Sequence, residues 1–172
     1  MIIDEFCPEY LITKKYEIDV NAGIERVYNV ARTFHMSTSL LTKWLLKLRG
    51  IPYNLSTIDG LKECGFVILG DKKQEEIVFG LIGKFWTFPV HIQQLNPHDF
   101  KYFNKEGFAK AVGNIAFIPQ SENITNVTTE TRVHCFDKRS ALLFRLYWAV
   151  IAPFSGIIRK EWLRTIKIES EK

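Results

Sequence analysis

The sequence predicts an α+β domain in which a curved antiparallel sheet of about six to seven strands surrounds a long C-terminal helix. Three observations lead to this prediction. Residues 10–20 alternate apolar and polar side chains, the middle of the chain is a series of strand-like runs separated by turns, and the last third repeats apolar residues at helical spacing. The chain of 172 residues is long enough for one sizeable core, so we expect a single domain over residues 1–172.

Two short amphipathic helices are predicted directly after the first strand. In the first, which Asp19 or Asn21 can cap, apolar residues recur at i, i+3, i+4 and i+7: Ile24, Val27, Tyr28 and Ala31. The second helix follows the polar residues 37–39 and repeats this spacing. Gly50 and Pro52 end it, as a C-terminal glycine and a following proline should.

Period-two patterns and polar turns predict six further strands, at residues 64–70, 75–83, 85–90, 100–104, 108–118 and 124–136. The period then changes to that of a helix, which Asp137 can cap and Pro153 should kink. The apolar face predicted for this helix consists of Leu143, Leu146, Tyr147, Val150, Ile151 and Phe154, continued by Ile158, Trp162 and Ile166.

The composition argues against several classes of partner and site. The net charge is only +4, and Arg159, Lys160, Arg164 and Lys167 read as a solvated helix face, so no nucleic-acid partner is expected. The three cysteines have no metal-ligand spacing, and no motif assigns a catalytic, metal or cofactor residue. We therefore expect no cofactor.

Two segments of the sequence bear on the cellular location of the protein. The first ten residues are acidic where a signal peptide needs positive charge, which favours a cytoplasmic protein. Residues 141–158 are nearly all apolar, but they are short for a bilayer and include Arg145 and Pro153. We expect no transmembrane segment.

Several separated motifs resemble those of a bacterial subgroup of the START-like, or SRPBCC, superfamily. They are Phe79-Gly-Leu-Ile-Gly-Lys-Phe-Trp86, Gly107-Phe-Ala-Lys-Ala111, Thr129-Glu-Thr-Arg-Val133, and Tyr147-Trp148 followed by Pro153-Phe-Ser-Gly-Ile-Ile-Arg159. The superfamily includes lipid-transfer domains, plant pathogenesis-related ligand carriers and polyketide cyclases. The resemblance implies a helix-grip fold with an internal cavity, and it leaves the contents of that cavity open.

Glu130, Arg132 and His134 are candidates for the pocket because they share one face of a predicted strand, about 7 Å apart in succession. An arginine there can grip an oxyanion, and the resemblance implies that polar residues facing the cavity position ligands. The alternative is that Val127, Val133 and the residues of their face form the core. Glu130 and Arg132 would then be a surface ion pair worth about 0–1 kcal/mol.

Three aromatic residues are the remaining pocket candidates. Tyr147 and Trp148 lie in the middle of the long helix, and at most one of them should face the centre of a cavity. Trp86 lies near a predicted strand end, at a cavity rim or in the core. Ordinary core packing is the alternative for each.

Three functions fit these features. The first is binding of a hydrophobic small molecule, such as a lipid or polyketide, in a cavity between the sheet and the C-terminal helix. The second is an enzyme of cyclase or dehydrase type that uses acid and base groups in the cavity. The third is a domain with a filled core whose apolar helix docks to a partner or a membrane.

Overall fold

The computed structural model describes residues 1–33, 61–62 and 65–172. The second short helix predicted from the sequence lies outside these residues. Along the described chain the elements are α1 (Ile2–Phe6), β1 (Ile12–Val20), α2 (Ile24–Thr33), β2 (Val67–Lys72), β3 (Glu76–Lys84), β4 (His91–Gln93), α3 (Pro97–Tyr102), β5 (Ala109–Ser121), β6 (Ile124–Cys135) and α4 (Lys138–Ser170).

The strands form one antiparallel sheet in the order β1-β6-β5-β3-β2. The short strand β4 pairs with the last three residues of β3, on the edge of β3 opposite β5. Alternation of side chains fixes the register, because a slip by one residue would turn every apolar side chain to the other face. Ile18 lies opposite Val127, and Val127 lies opposite Phe117. The α+β class, the curved sheet and the long C-terminal helix predicted from the sequence are confirmed.

Both faces of the sheet are covered. We call the face under α2 and α4 the inner face; its core includes Val20, Ile77, Phe79, Ile115, Val127, Trp162 and Ile166. The outer face carries the short helices α1 and α3, and its core includes Ile3, Val78, Ile82, Phe100, Phe108 and Val112. Strands buried on both sides explain why β3 is buried along nearly its whole length.

The long helix α4 begins as predicted, since the Asp137 side chain accepts a hydrogen bond from the Ser140 amide at 2.8 Å. The helix is continuous through Pro153. The predicted apolar face is partly wrong, because Leu146 is 64% exposed and Val150 is 65% exposed. Trp162 and Ile166 are buried as predicted, and the other buried positions in α4 are Ser140, Phe144, Gly156, Leu163 and Ser170.

Two predicted strands do not form. Residues 100–104 fall largely within α3, because the Asn96 side chain accepts a hydrogen bond from the Asp99 amide at 2.8 Å and Pro97 starts the helix. Residues 85–90 form turns and bends, and the next strand, β4, starts after them. Pro89 has no amide hydrogen for a sheet, which agrees with this difference.

Candidate functional site

A cationic group lies between the inner face of the sheet and α4. The Arg159 guanidinium donates to Oγ1 of Thr129, a residue of β6, at 2.9 Å. It also lies over two aromatic rings, with its central carbon 5.3 Å from the Phe79 centroid and 4.8 Å from the Trp162 centroid. Hydroxyl and ring contacts of this kind leave the charge of an arginine uncompensated.

Two glycines provide the space for this arrangement. A Cβ at Gly113 of β5 would lie 2.6 Å from Nη2 of Arg159 and 2.8 Å from Cε2 of Phe79. A Cβ at Gly156 of α4 would lie 2.6 Å from the Tyr16 hydroxyl oxygen. All three distances are too short for real carbon contacts, so larger residues at Gly113 and Gly156 would displace the side chains beside them.

The electrostatics of Arg159 follow from this environment. The residue keeps some solvent exposure. Protein nevertheless surrounds the guanidinium densely, and desolvation lowers its pKa to about 10, so it is still protonated at neutral pH. Among the described residues that contact this guanidinium, none is a carboxylate or an imidazole. The group is therefore a charged donor in a largely apolar interior.

A second polar atom lies on the same face. The Thr131 hydroxyl is buried and has no hydrogen-bond partner in the described part of the chain. Thr131 of β6 pairs with Gly113 of β5, and Gly113 pairs in turn with Phe79 of β3. The inner face thus combines a cation, a hydroxyl without a partner and aromatic rings, which is the mixture of groups found in pockets for small molecules.

The three aromatic candidates lie on this inner side, near the start of α4. Trp86, Tyr147 and Trp148 all pack at half-buried positions around the core of Phe85 and Phe144. Tyr147 and Trp148 each contact the Phe144 ring, at centroid distances of 5.6 and 5.7 Å. They lie at the first half of α4, whereas Arg159 lies in its second half.

The three polar candidates, Glu130, Arg132 and His134, lie on the outer face. Their neighbours in β6, Val127 and Val133, belong to the inner cores. The predicted ion pair forms, with Nε of Arg132 2.7 Å from Oε1 of Glu130. It is covered by protein, since the exposed fractions of the two side chains are 10% and 14%.

Helix α1 accounts for this burial. Arg132 donates hydrogen bonds to Oδ1 of Asp4 at 2.7 Å and to the Cys7 carbonyl at 3.2 Å. These two bonds connect the N-terminal segment to the sheet. Although desolvation acts to lower it, the hydrogen bonds to Glu130 and Asp4 raise the pKa of the Arg132 guanidinium. The outer cluster has its charges paired and serves to hold α1.

His134 lies in a separate surface pocket of about 290 Å³ beside α1 and α3. Its ring is 5.1 Å from the Phe136 ring. Lys110 lines the same pocket, donates to the Lys101 carbonyl at 3.2 Å, and has its pKa lowered by burial. Lys110 also lies 5.2 Å from the Phe100 centroid, which gives the ammonium a structural role between rings.

The sequence interpretation missed Arg159, which it assigned to a solvated face. Helical spacing contains the signal that was needed. Arg159 follows the buried Gly156 by three residues and precedes the buried Leu163 and Ile166 by four and seven. This is the spacing of one helix face, so a basic residue here belongs to the buried side of α4.

No family model and no curated protein matches this chain significantly. Several solved structures, however, are similar to this chain. A protein from Chromobacterium violaceum is 12% identical, with 93% of this chain and 98% of that one covered and a TM-score of 0.45. An aromatase/cyclase from Streptomyces sp. R1128 is 10% identical, with 93% of both chains covered and a TM-score of 0.35. A START superfamily protein from Mycobacterium smegmatis is 10% identical, with 86% and 97% covered and a TM-score of 0.28.

These similarities concern overall structure at low identity, and they assign neither an activity nor a ligand to this chain. The fold rests on the sheet and helices described above. Proteins of the START-like superfamily, which the sequence motifs resemble, are among the solved structures to which this chain is similar.

Proposed function

We propose that the protein binds a hydrophobic small molecule with an acidic head between the inner face of the sheet and α4. Arg159 contacts the acidic head, and the aromatic and aliphatic side chains of the inner face surround the apolar body. The observation that carries the proposal is the Arg159 guanidinium, which is charged, lies among apolar groups and contacts no carboxylate among the described residues.

An acidic ligand would supply the missing charge. A buried charge is unfavourable unless it is paired, and an arginine binds a carboxylate or phosphate through two parallel hydrogen bonds. The Thr131 hydroxyl of the same face can donate to a remaining oxygen of the head group, whereas the Thr129 hydroxyl already donates to the Asn114 carbonyl at 2.7 Å.

The cyclase or dehydrase alternative requires an acid or base group beside the ligand. Glu130 and His134, the pocket candidates that carry such groups, lie on the outer face of the sheet and are separated from Arg159 by the sheet itself. The arrangement around Arg159 favours binding, with positioning by hydrogen bonds, over proton transfer.

The test compares lauric acid with its methyl ester, two ligands that share an apolar chain and differ in the charge of the head. We expect the wild-type protein to bind the acid about 10- to 100-fold more tightly, since a hydrogen bond to a charged group contributes roughly 1.5–3 kcal/mol. Arg159→Met should bind the two equally. Titration calorimetry measures both affinities.

Two variants complete the design. Arg159→Lys keeps the charge without the planar fork and should retain part of the preference for the acid. Arg164→Met removes an exposed arginine from the same helix and should leave the preference unchanged. Equal binding of acid and ester by the wild-type protein, binding of neither, or an unchanged preference in Arg159→Met would each overturn the proposal.

A further inference from the structure

The first half of α4 and the turn that follows it present apolar side chains to solvent. Four large ones point away from the sheet: Leu142 is 60% exposed, Leu146 64%, Val150 65% and Ile157 44%. Their spacing follows one side of the helix over about 22 Å. We call these four residues the apolar stripe. Isolated exposed apolar residues are ordinary, but a continuous stripe marks a surface that contacts something apolar.

A loop beside this half of the helix adds to the same surface. Phe88, which is 88% exposed, follows Phe85 and Trp86 in the segment between β3 and β4. That segment packs on the start of α4, since the Phe85 ring lies 5.9 Å from the Phe144 ring. The exposed phenylalanine therefore belongs to the same end of the molecule as the apolar stripe.

Most of the charges around the stripe are basic. Residues 138–160 contain Lys138, Arg139, Arg145 and Lys160, besides Arg159, which faces the sheet, and the first acidic residue of α4 is Glu161, one turn after Ile157. The loop between β3 and β4, residues 85–90, contains no acidic residue. Apolar side chains flanked by basic ones are the pattern of a helix that lies in the interface of an anionic bilayer.

From these observations we infer that the apolar stripe and Phe88 dock the protein on the surface of an anionic lipid bilayer. A window of α4 has a mean hydropathy of 1.7, with 6% of it buried, so by length and composition the helix also resembles a membrane-spanning one. Its second half, however, is packed into the inner core through Trp162, Leu163 and Ile166. The helix lies on the bilayer with its second half held by the sheet.

A second copy of the chain fits this surface less well. A two-fold interface would place the stripe of one copy against the stripe of the other. Arg139 and Arg145 would then lie beside a partner stripe that is also flanked mainly by basic residues, since residues 138–160 contain no acidic residue. Anionic lipid head groups compensate these basic charges.

The test measures co-flotation of the full protein with vesicles of mixed phosphatidylglycerol and phosphatidylcholine, and with vesicles of phosphatidylcholine alone. We expect binding to the anionic vesicles that weakens with added salt. Leu146→Glu should weaken it about tenfold or more, and Arg145→Gln roughly fivefold. Ile118→Glu puts the same charge at a 45% exposed isoleucine on β5, far from the stripe, and should bind as the wild type does.

Three results would overturn this inference. The first is equal vesicle binding by the wild type and Leu146→Glu. The second is a wild-type dimer in sedimentation analysis that Leu146→Glu dissociates, which would make the stripe an interface between copies. The third is a large loss of stability in lipid-free Leu146→Glu, measured by urea unfolding, which would mean that the protein itself covers the stripe.

Discussion

Replacing Arg159 by methionine should stabilise the ligand-free protein and abolish its preference for acids. Desolvation lowers the pKa of the guanidinium from 12.5 to about 10. The difference corresponds to roughly 3 kcal/mol of disfavoured charge. Because the folded pKa of this base lies below its unfolded value, the whole destabilisation is present at pH 7, and it is relieved only as the pH rises above about 10.

Two effects reduce the stability that is gained when Arg159 is replaced. Arg159 keeps some solvent exposure, which screens part of the unfavourable energy. The substitution also removes the hydrogen bond to Thr129 and the contacts with the Phe79 and Trp162 rings, together worth about 1–2 kcal/mol. A methionine can fill the same apolar space. We therefore expect the free energy of unfolding to rise by about 1 kcal/mol.

Urea unfolding, followed with and without lauric acid, measures this prediction. Arg164→Met, at an exposed position, should stay within about 0.5 kcal/mol of the wild type. Ligand at about a hundredfold above its Kd should stabilise the wild type by roughly 2.7 kcal/mol and the Arg159→Met variant much less, so the order of stabilities reverses. A ligand-free variant less stable than the wild type by more than about 1 kcal/mol would refute the reasoning, since Arg159 would then hold the fold together.

Two further predictions concern the rest of the fold. Arg132→Ala should lower the free energy of unfolding in urea by about 3 kcal/mol, because Glu130 is left buried without its partner. Asp4→Ala should lower it by less than about 1 kcal/mol, because the Asp4 side chain is 53% exposed. Equal losses in the two variants would contradict the burial described for the Glu130–Arg132 pair. Hydrogen bonds from the Ser140 side chain and from the Gly107 and Ser140 amides lower the pKa of Asp137 to about 2 from 3.8, so its stabilisation is present above about pH 4 and lost towards pH 2. The melting temperatures of the wild type and Asp137→Ala should therefore converge over that range, and a constant difference would show that the cap acts without its charge.

Most strands could be predicted from the sequence because their side chains alternate and polar turns separate them. The segments at residues 75–83 and 124–136 correspond closely to β3 and β6. The exceptions have local causes. A five-residue helix such as α1 gives almost no periodic signal. The aromatic run at residues 100–104 reads as a strand until the capping role of Asn96 is considered.

The site was harder to predict because both faces of the sheet are covered. When one face is solvated, polar residues identify it, but β6 carries buried polar residues on each side, such as Thr129 and Arg132. The pattern of β6 therefore does not reveal which face meets α4. Arg159 was missed for a related reason, since a lone arginine in a basic helix resembles a solvated residue.

Carbon NMR of lauric acid labelled at the carboxyl carbon tests the central claim most directly, because it reports the ionisation of the head group in the complex. If Arg159 contacts that group, the bound carboxyl should titrate at least about one pH unit below the free acid, and Arg159→Met should remove the difference. A bound carboxyl that titrates at or above the free acid, an unchanged titration in Arg159→Met, or no bound signal would contradict the account.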